Sequence, residues 1–162
     1  MNIVLVEPEI PQNTGNISRT CAATGTVLHM VKPFGFSLDD KYLKRAGLDY
    51  WDMLKVYYYN SFNEVKEKYI GYSFYYATTK AANLYTDVKY PDDCFIVFGK
   101  ETHGLPEKLL EENKEFCIRI PMKEGIRSLN LSNSVAIILY ESLRQNGFMG
   151  LENKGRMGGG SY

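Results

Sequence analysis

The sequence predicts an α/β fold in which a mostly parallel sheet is flanked by helices. Three observations carry that reading. Short, fully apolar runs recur along the chain, segments with helical spacing separate them, and polar loops follow several of the runs. Continuous apolar runs belong to parallel strands buried on both faces, and strand–helix alternation is how such sheets are built.

Each element follows in order. Residues 3–6, Ile-Val-Leu-Val, form the first buried strand. A polar loop over 7–13 leads into a helix over 14–23, closed by Gly25, and residues 27–31 form a second strand that Lys32-Pro33 ends. A short helix over 39–46 has Asp39 or Asp40 as its cap. Residues 55–59 read as a strand, 61–69 as a helix and 72–77 as a further strand. Residues 95–98 are again short and apolar, and Pro106 opens a helix at the position that proline favours. A sixth strand over 116–120 precedes the closing helix over 130–145. One domain spans residues 1–152. The tail 153–162, with Gly158-Gly159-Gly160, has nothing to bury and is expected to be disordered.

Composition narrows the function. The formal net charge is zero, so a role on nucleic acid cannot rest on bulk electrostatics and needs a local patch. Lys41, Lys44 and Arg45 are the best such patch, with a solvated face as the plainer reading. Among 13 tyrosines, Tyr59, Tyr69, Tyr72, Tyr75 and Tyr76 cluster in the middle and read as strand packing rather than base stacking. Cys21, Cys94 and Cys117 are odd in number and lie among apolar residues, which points to reduced, buried thiols in a cytoplasmic protein. With only His29 and His103 beside them, no zinc-ligand spacing occurs, and no metal is expected. The first residues are charged too early for a signal peptide, and no apolar run reaches membrane length.

In such sheets ligands sit beyond the carboxyl ends of strands. Three polar loops follow strands there: residues 7–19, 99–104 and 121–130. The last of them is the most informative. Arg127-Ser128-Leu129-Asn130-Leu131-Ser132-Asn133-Ser134 runs straight into an apolar helix, which reads as buried on nearly every side. A polar first turn set against a core needs partners, from backbone, another subunit or a ligand. Capping by Ser128 and Asn130 is part of the answer. In the first loop, Asn13, Asn16 and Arg19 stand at i, i+3 and i+6 and are read as sharing a helix side. An arginine framed by amides can fork onto a phosphate or carboxylate, while the plainer reading makes Asn13 a cap and Arg19 a surface residue. The second loop, Gly99-Lys100-Glu101-Thr102-His103-Gly104-Leu105-Pro106, lacks the Lys-Ser or Lys-Thr of a phosphate loop. It remains a glycine turn that brings backbone close to a flat ligand, with Glu101 nearby.

Together these segments resemble the SPOUT (SpoU–TrmD) superfamily of RNA methyltransferases, in its SpoU branch. The resemblance runs from Met1 to about Gly150. It rests on Asn13-Thr14-Gly15-Asn16-Ile17-Ser18-Arg19, on Phe98 through Pro106, and on Ile120-Pro121-Met122 through Ser128-Leu129-Asn130-Leu131-Ser132-Asn133. Glu7-Pro8-Glu9-Ile10-Pro11 and Arg45-Ala46-Gly47-Leu48-Asp49-Tyr50-Trp51 resemble the small group without an added RNA-binding domain, the tRNA (cytidine/uridine-34) 2′-O-methyltransferases.

The resemblance implies a C-terminal deep trefoil knot, an exception to the rule against knots. It implies S-adenosyl-L-methionine as cofactor, touching Ala77, Gly99, Ile120 and Ser128, with Leu129 and Leu131 on the adenine side. It implies a homodimer acting on the tRNA anticodon stem-loop, Arg19 of one subunit completing the site of the other. Asn13, Glu101, Ser128 and Asn130 are the expected positioning residues. Methylation of ribosomal RNA or another tRNA position is the alternative, and a non-catalytic knotted RNA-binding module the lesser one.

Overall fold

The computed structural model describes residues 1–37 and 53–155. The expected helix over 39–46, the patch Lys41, Lys44 and Arg45, the block from Arg45 to Trp51, and residues 156–162 of the expected tail lie outside the described residues.

Seven strands form one sheet: β1 Asn2–Val6, β2 Val27–Val31, β3 Val56–Tyr59, β4 Phe74–Ala77, β5 Asn83–Leu84, β6 Phe95–Phe98 and β7 Cys117–Arg119. Their order is β3-β2-β1-β6-β4-β7-β5, and every pairing is parallel. The longer helices are α1 Pro11–Thr24, α2 Phe62–Lys68, α3 Glu107–Glu112 and α4 Leu131–Gln145. Because β1, β2 and β6 are apolar at nearly every position, each supplies two cores. Ile3, Leu5, Leu28 and Ile96 face α1 and α4 through Ile17, Cys21, Ile138 and Leu139. Val4, Val31, Tyr76 and Val97 face α2 and α3 through Val65 and Leu110. All three cysteines are buried free thiols, and burial pushes Cys21 and Cys94 up to about 12, so they act as packing groups.

Several boundaries differ from expectation. The first helix begins at Pro11 rather than at residue 14: proline's missing N–H is no loss in a first turn and its φ is already helical. Its end is as expected, with Gly25 left-handed at φ 66. The strand expected from residue 72 starts at Phe74, because Gly71 at φ 90 and the Tyr72 amide bond to the Tyr69 carbonyl extend the turn. Lys114–Phe116 wind into a single 3-10 turn before β7. The one strand beyond the six expected, β5, has two residues and so carries no periodicity to read. The closing helix is not buried on nearly every side. Val135, Ile138, Leu139 and Leu143 are buried, but Ile137 and Tyr140 are 36% and 47% exposed.

The tyrosine cluster divides. Tyr59, Tyr75 and Tyr76 are buried, whereas Tyr72 is exposed. Around them sits His29, fully buried, its ring nitrogens 3.0 Å from the Tyr59 hydroxyl and 3.1 Å from Asn2 Oδ1. Burial, reinforced by the Lys68 and N-terminal charges, pushes its pKa from 6.5 down to about 4. The unfolded chain therefore binds a proton that the folded one does not between those values. The contribution of His29 to stability is full above pH 6.5 and is lost as pH falls to about 4. Denaturant titrations across this window should show wild-type stability dropping by about 3 kcal/mol more than that of His29→Gln. Parallel pH profiles would contradict this.

Candidate active site

β1 lies between β2 and β6, so the chain leaves it in opposite directions along the sheet. A crevice opens at such a switch point, beyond the carboxyl ends of the strands. The loops after β1 and β6 meet there, and the loop after β7 closes over them. They enclose a cleft of about 520 Å³. Its apolar wall includes Ile118, Ile120, Leu129, Leu131 and Ile138, and its polar wall includes Asn13, Glu101 and Asn130.

The polar wall is a chain of oriented hydrogen bonds. Glu101 accepts from the backbone N–H of Glu9 at 2.8 Å and of Ile10 at 3.2 Å, and from Asn13 Nδ2 at 3.0 Å. Its carboxylate thus sits at the amino end of α1, where negative charge is favoured. Ile10, which precedes α1, provides no side-chain cap, so Glu101 supplies from another loop the acceptor that the local sequence lacks. Asn13 Oδ1 accepts in turn from Asn130 Nδ2 at 2.9 Å. That leaves Asn130 Oδ1 to cap α4, accepting from the Ser132 amide at 2.9 Å and its hydroxyl at 2.7 Å. A carboxylate can only accept, so it fixes the orientation of both amides behind it.

The same two loops are tied a second time. Glu9 accepts from the Thr102 amide at 3.0 Å and hydroxyl at 2.8 Å. The hydroxyl first and the amide second hold the Glu9 carboxyl below the usual carboxylate range, with the Lys100 charge adding to the effect. Lys100 Nζ meets Glu7 at 2.7 Å, and Arg127 donates to the Thr102 carbonyl at 3.3 Å. Gly99 makes the turn possible: a Cβ there would stand 2.1 Å from the Gly104 carbonyl carbon and 2.3 Å from the Leu105 nitrogen.

Of the residues expected at the site, Asn13, Glu101, Ser128 and Asn130 line this cleft, as do Ala77, Gly99, Ile120, Leu129 and Leu131. Arg19 does not line it. Asn13, Asn16 and Arg19 do not share a side either: Asn13 is buried, while Asn16 and Arg19 are exposed. At about 100° per residue, six residues turn Arg19 some 120° away from Asn13. Asn13 is a bridge rather than a cap. His103 lies at the rim, its Nδ1 2.7 Å from the Thr102 hydroxyl. Sequence reasoning missed the roles of Glu9 and Thr102 and the pairing of Asn13 with Asn130. Only Thr102, inside the glycine turn, carried a local signal. Among the described residues no group of three His, Cys, Asp or Glu could hold a metal ion, and no helix is long and apolar enough to cross a membrane.

Comparison with known proteins identifies similar chains and folds. Residues 1–140 match the model of the SpoU rRNA Methylase family. A relative from Listeria monocytogenes serotype 4b (strain F2365) is 60% identical over 150 residues, covering 91% of this chain and 89% of its own. The tRNA (cytidine(34)-2'-O)-methyltransferase of Escherichia coli (strain K12) is 46% identical over 151 residues, covering 93% of this chain and 96% of its own. A solved structure described as giving structural insights into the 2-OH methylation of C/U34 on tRNA superposes with a TM-score of 0.85. It is 38% identical, over 90% of this chain and 95% of that one.

Proposed function

The chain belongs to the SpoU rRNA Methylase family, and on that footing we propose that it is the enzyme that methylates the ribose 2′-oxygen of nucleotide 34, cytidine or uridine, in the tRNA anticodon loop. The observation that carries this reading is the convergence of loops distant in sequence on one cleft, polar along one wall and apolar along the other. The methyl donor is S-adenosyl-L-methionine.

The cleft fits that donor. Its apolar wall suits an adenine ring, and the Gly99 turn exposes backbone against which a flat group can lie. Ala77, Gly99, Ile120, Ser128, Leu129 and Leu131 would hold it. When bound, the donor would supply an electrophilic methyl to the ribose 2′-oxygen, whose hydroxyl proton would pass to solvent water. The rest falls to protein groups. Asn13, Glu101 and Asn130 keep the polar wall rigid, so the reacting atoms meet in one orientation. Arg19 positions the substrate phosphate and stabilises negative charge developing on the 2′-oxygen; always protonated, a guanidinium is a poor acceptor for the proton.

The finer architecture belongs to the same proposal. The segment from Ile120 through α4 forms a deep trefoil knot, a reading that rests on membership of the family. The enzyme is a homodimer, supported by the apolar Ile137 and Tyr140 on the exposed side of α4. It works in the cytoplasm, where its tRNA is found. Light scattering should report a dimer; an active monomer would remove the shared site.

The test is direct. Purified protein, S-adenosyl-L-methionine and undermodified tRNA should yield 2′-O-methylcytidine or 2′-O-methyluridine at position 34 by nucleoside mass spectrometry. Methyl found only in ribosomal RNA, or at another tRNA position, would overturn this assignment.

A further inference from the structure

Beside the methyl-donor cleft, and sharing Lys80, Lys100, His103, Gly104 and Leu105 with it, lies a second hollow of about 400 Å³. Val6, Glu7, Pro106 and Glu107 complete its walls. Two lysines from two different loops converge here, and each is held by a glutamate from a third element. Lys80 Nζ contacts Glu107, with both side chains largely exposed. Lys100 Nζ meets Glu7 at 2.7 Å with each side chain about one-third exposed. Glu7 also keeps the Lys100 ammonium above its ordinary range.

The mechanism above uses neither lysine, and fold stability needs neither strongly, since exposed ion pairs are screened by water. Their shared property is position. Both stand at the carboxyl ends of strands, next to where the target ribose must enter. Both can exchange a carboxylate for another anion without unfolding anything. Around a protein of zero net charge, such a paired site is silent until an anion of the right spacing displaces the glutamates.

From this juxtaposition, and resting on the functional reading above, we infer that the hollow is a subsite for the RNA backbone. Lys80 and Lys100 release Glu107 and Glu7 to grip a phosphodiester flanking the target nucleotide. The glutamates act as a built-in competitor that keeps unspecific RNA from being held.

Binding of fluorescently labelled tRNA, read as Kd against salt concentration, tests this without relying on turnover. Lys80→Gln and Lys100→Gln should each weaken tRNA about tenfold and lower the slope of log K against log salt by about 1. Glu107→Gln, which frees Lys80, should tighten tRNA about threefold, a gain that loss of a structural contact would not give. Calorimetry should find S-adenosyl-L-methionine affinity within about twofold of wild type in Glu107→Gln, whose side chain lies outside the donor cleft. Unchanged tRNA Kd and salt slope in both lysine variants would overturn the inference. So would weakened S-adenosyl-L-methionine with unchanged tRNA, which would assign the lysines to the donor's carboxylate. Failure of the functional reading is distinguishable, because it shows as wild-type protein that transfers no methyl to nucleotide 34 whatever its Kd.

Discussion

Arg19→Ala is expected to abolish methyl transfer, by at least about a thousandfold in kcat, while S-adenosyl-L-methionine binds within about twofold of wild type. The expectation follows from where Arg19 stands. It is exposed on α1, about 9 Å along the helix from Asn13 and on a different side, outside the walls of its own cleft. In a two-fold assembly it would serve the partner's cleft, and mixing tests this. Leu129→Arg fills the cleft but keeps Arg19; Arg19→Ala keeps the cleft. Each alone should be inactive. Randomly exchanged dimers should recover about a quarter of wild-type activity, since half are mixed and each carries one complete site. No recovery on mixing, with exchange verified, would place Arg19 in its own subunit's reaction.

The second large effect concerns Gly99. Its alanine variant should lose about 3 kcal/mol of stability and bind S-adenosyl-L-methionine at least tenfold more weakly. The added methyl would meet backbone of Gly104 and Leu105, which cannot swing aside as a side chain can. The turn must open, and the bonds of Glu101 and Thr102 to the first loop go with it. Gly125 is the control. It is left-handed at φ 82 but has open space around it, so its alanine variant should cost about 1 kcal/mol and leave donor binding intact. Urea unfolding together with calorimetry separates the two. Equal stability and equal donor affinity for both variants would mean that the turn is not the cleft's support.

The strands were the most legible part of the chain. β2 and β6 occupy the very residues that their apolar runs mark, because Gly25, Pro33 and Gly99 bracket them in the sequence. The loops that line the cleft were legible too, since Asn, Ser and Gly after apolar runs are unusual enough to notice. Partnerships were not. Nothing near Glu101 in sequence says that it accepts from residues 88 to 92 positions away. Nor does a count of apolar residues in α4 separate Ile138, buried in its own core, from Ile137, which faces outward. The spacing of Asn13, Asn16 and Arg19 misled because a three-residue step drifts round the helix, and two such steps leave the face altogether.

The hydrogen bond that the Asn130 side chain donates back to Asn13 bears on biosynthesis. The first loop leaves the ribosome early and Glu101 can tie it down once the second loop follows, yet the far end of the polar wall stays open until Asn130 has emerged. A nascent fragment ending before Asn130 lacks both the lock on Asn13 and the apolar lining from Leu131 and Ile138. Translation must therefore run into the last helix before the cleft is complete, and products terminated before Asn130 should be inert rather than partly active.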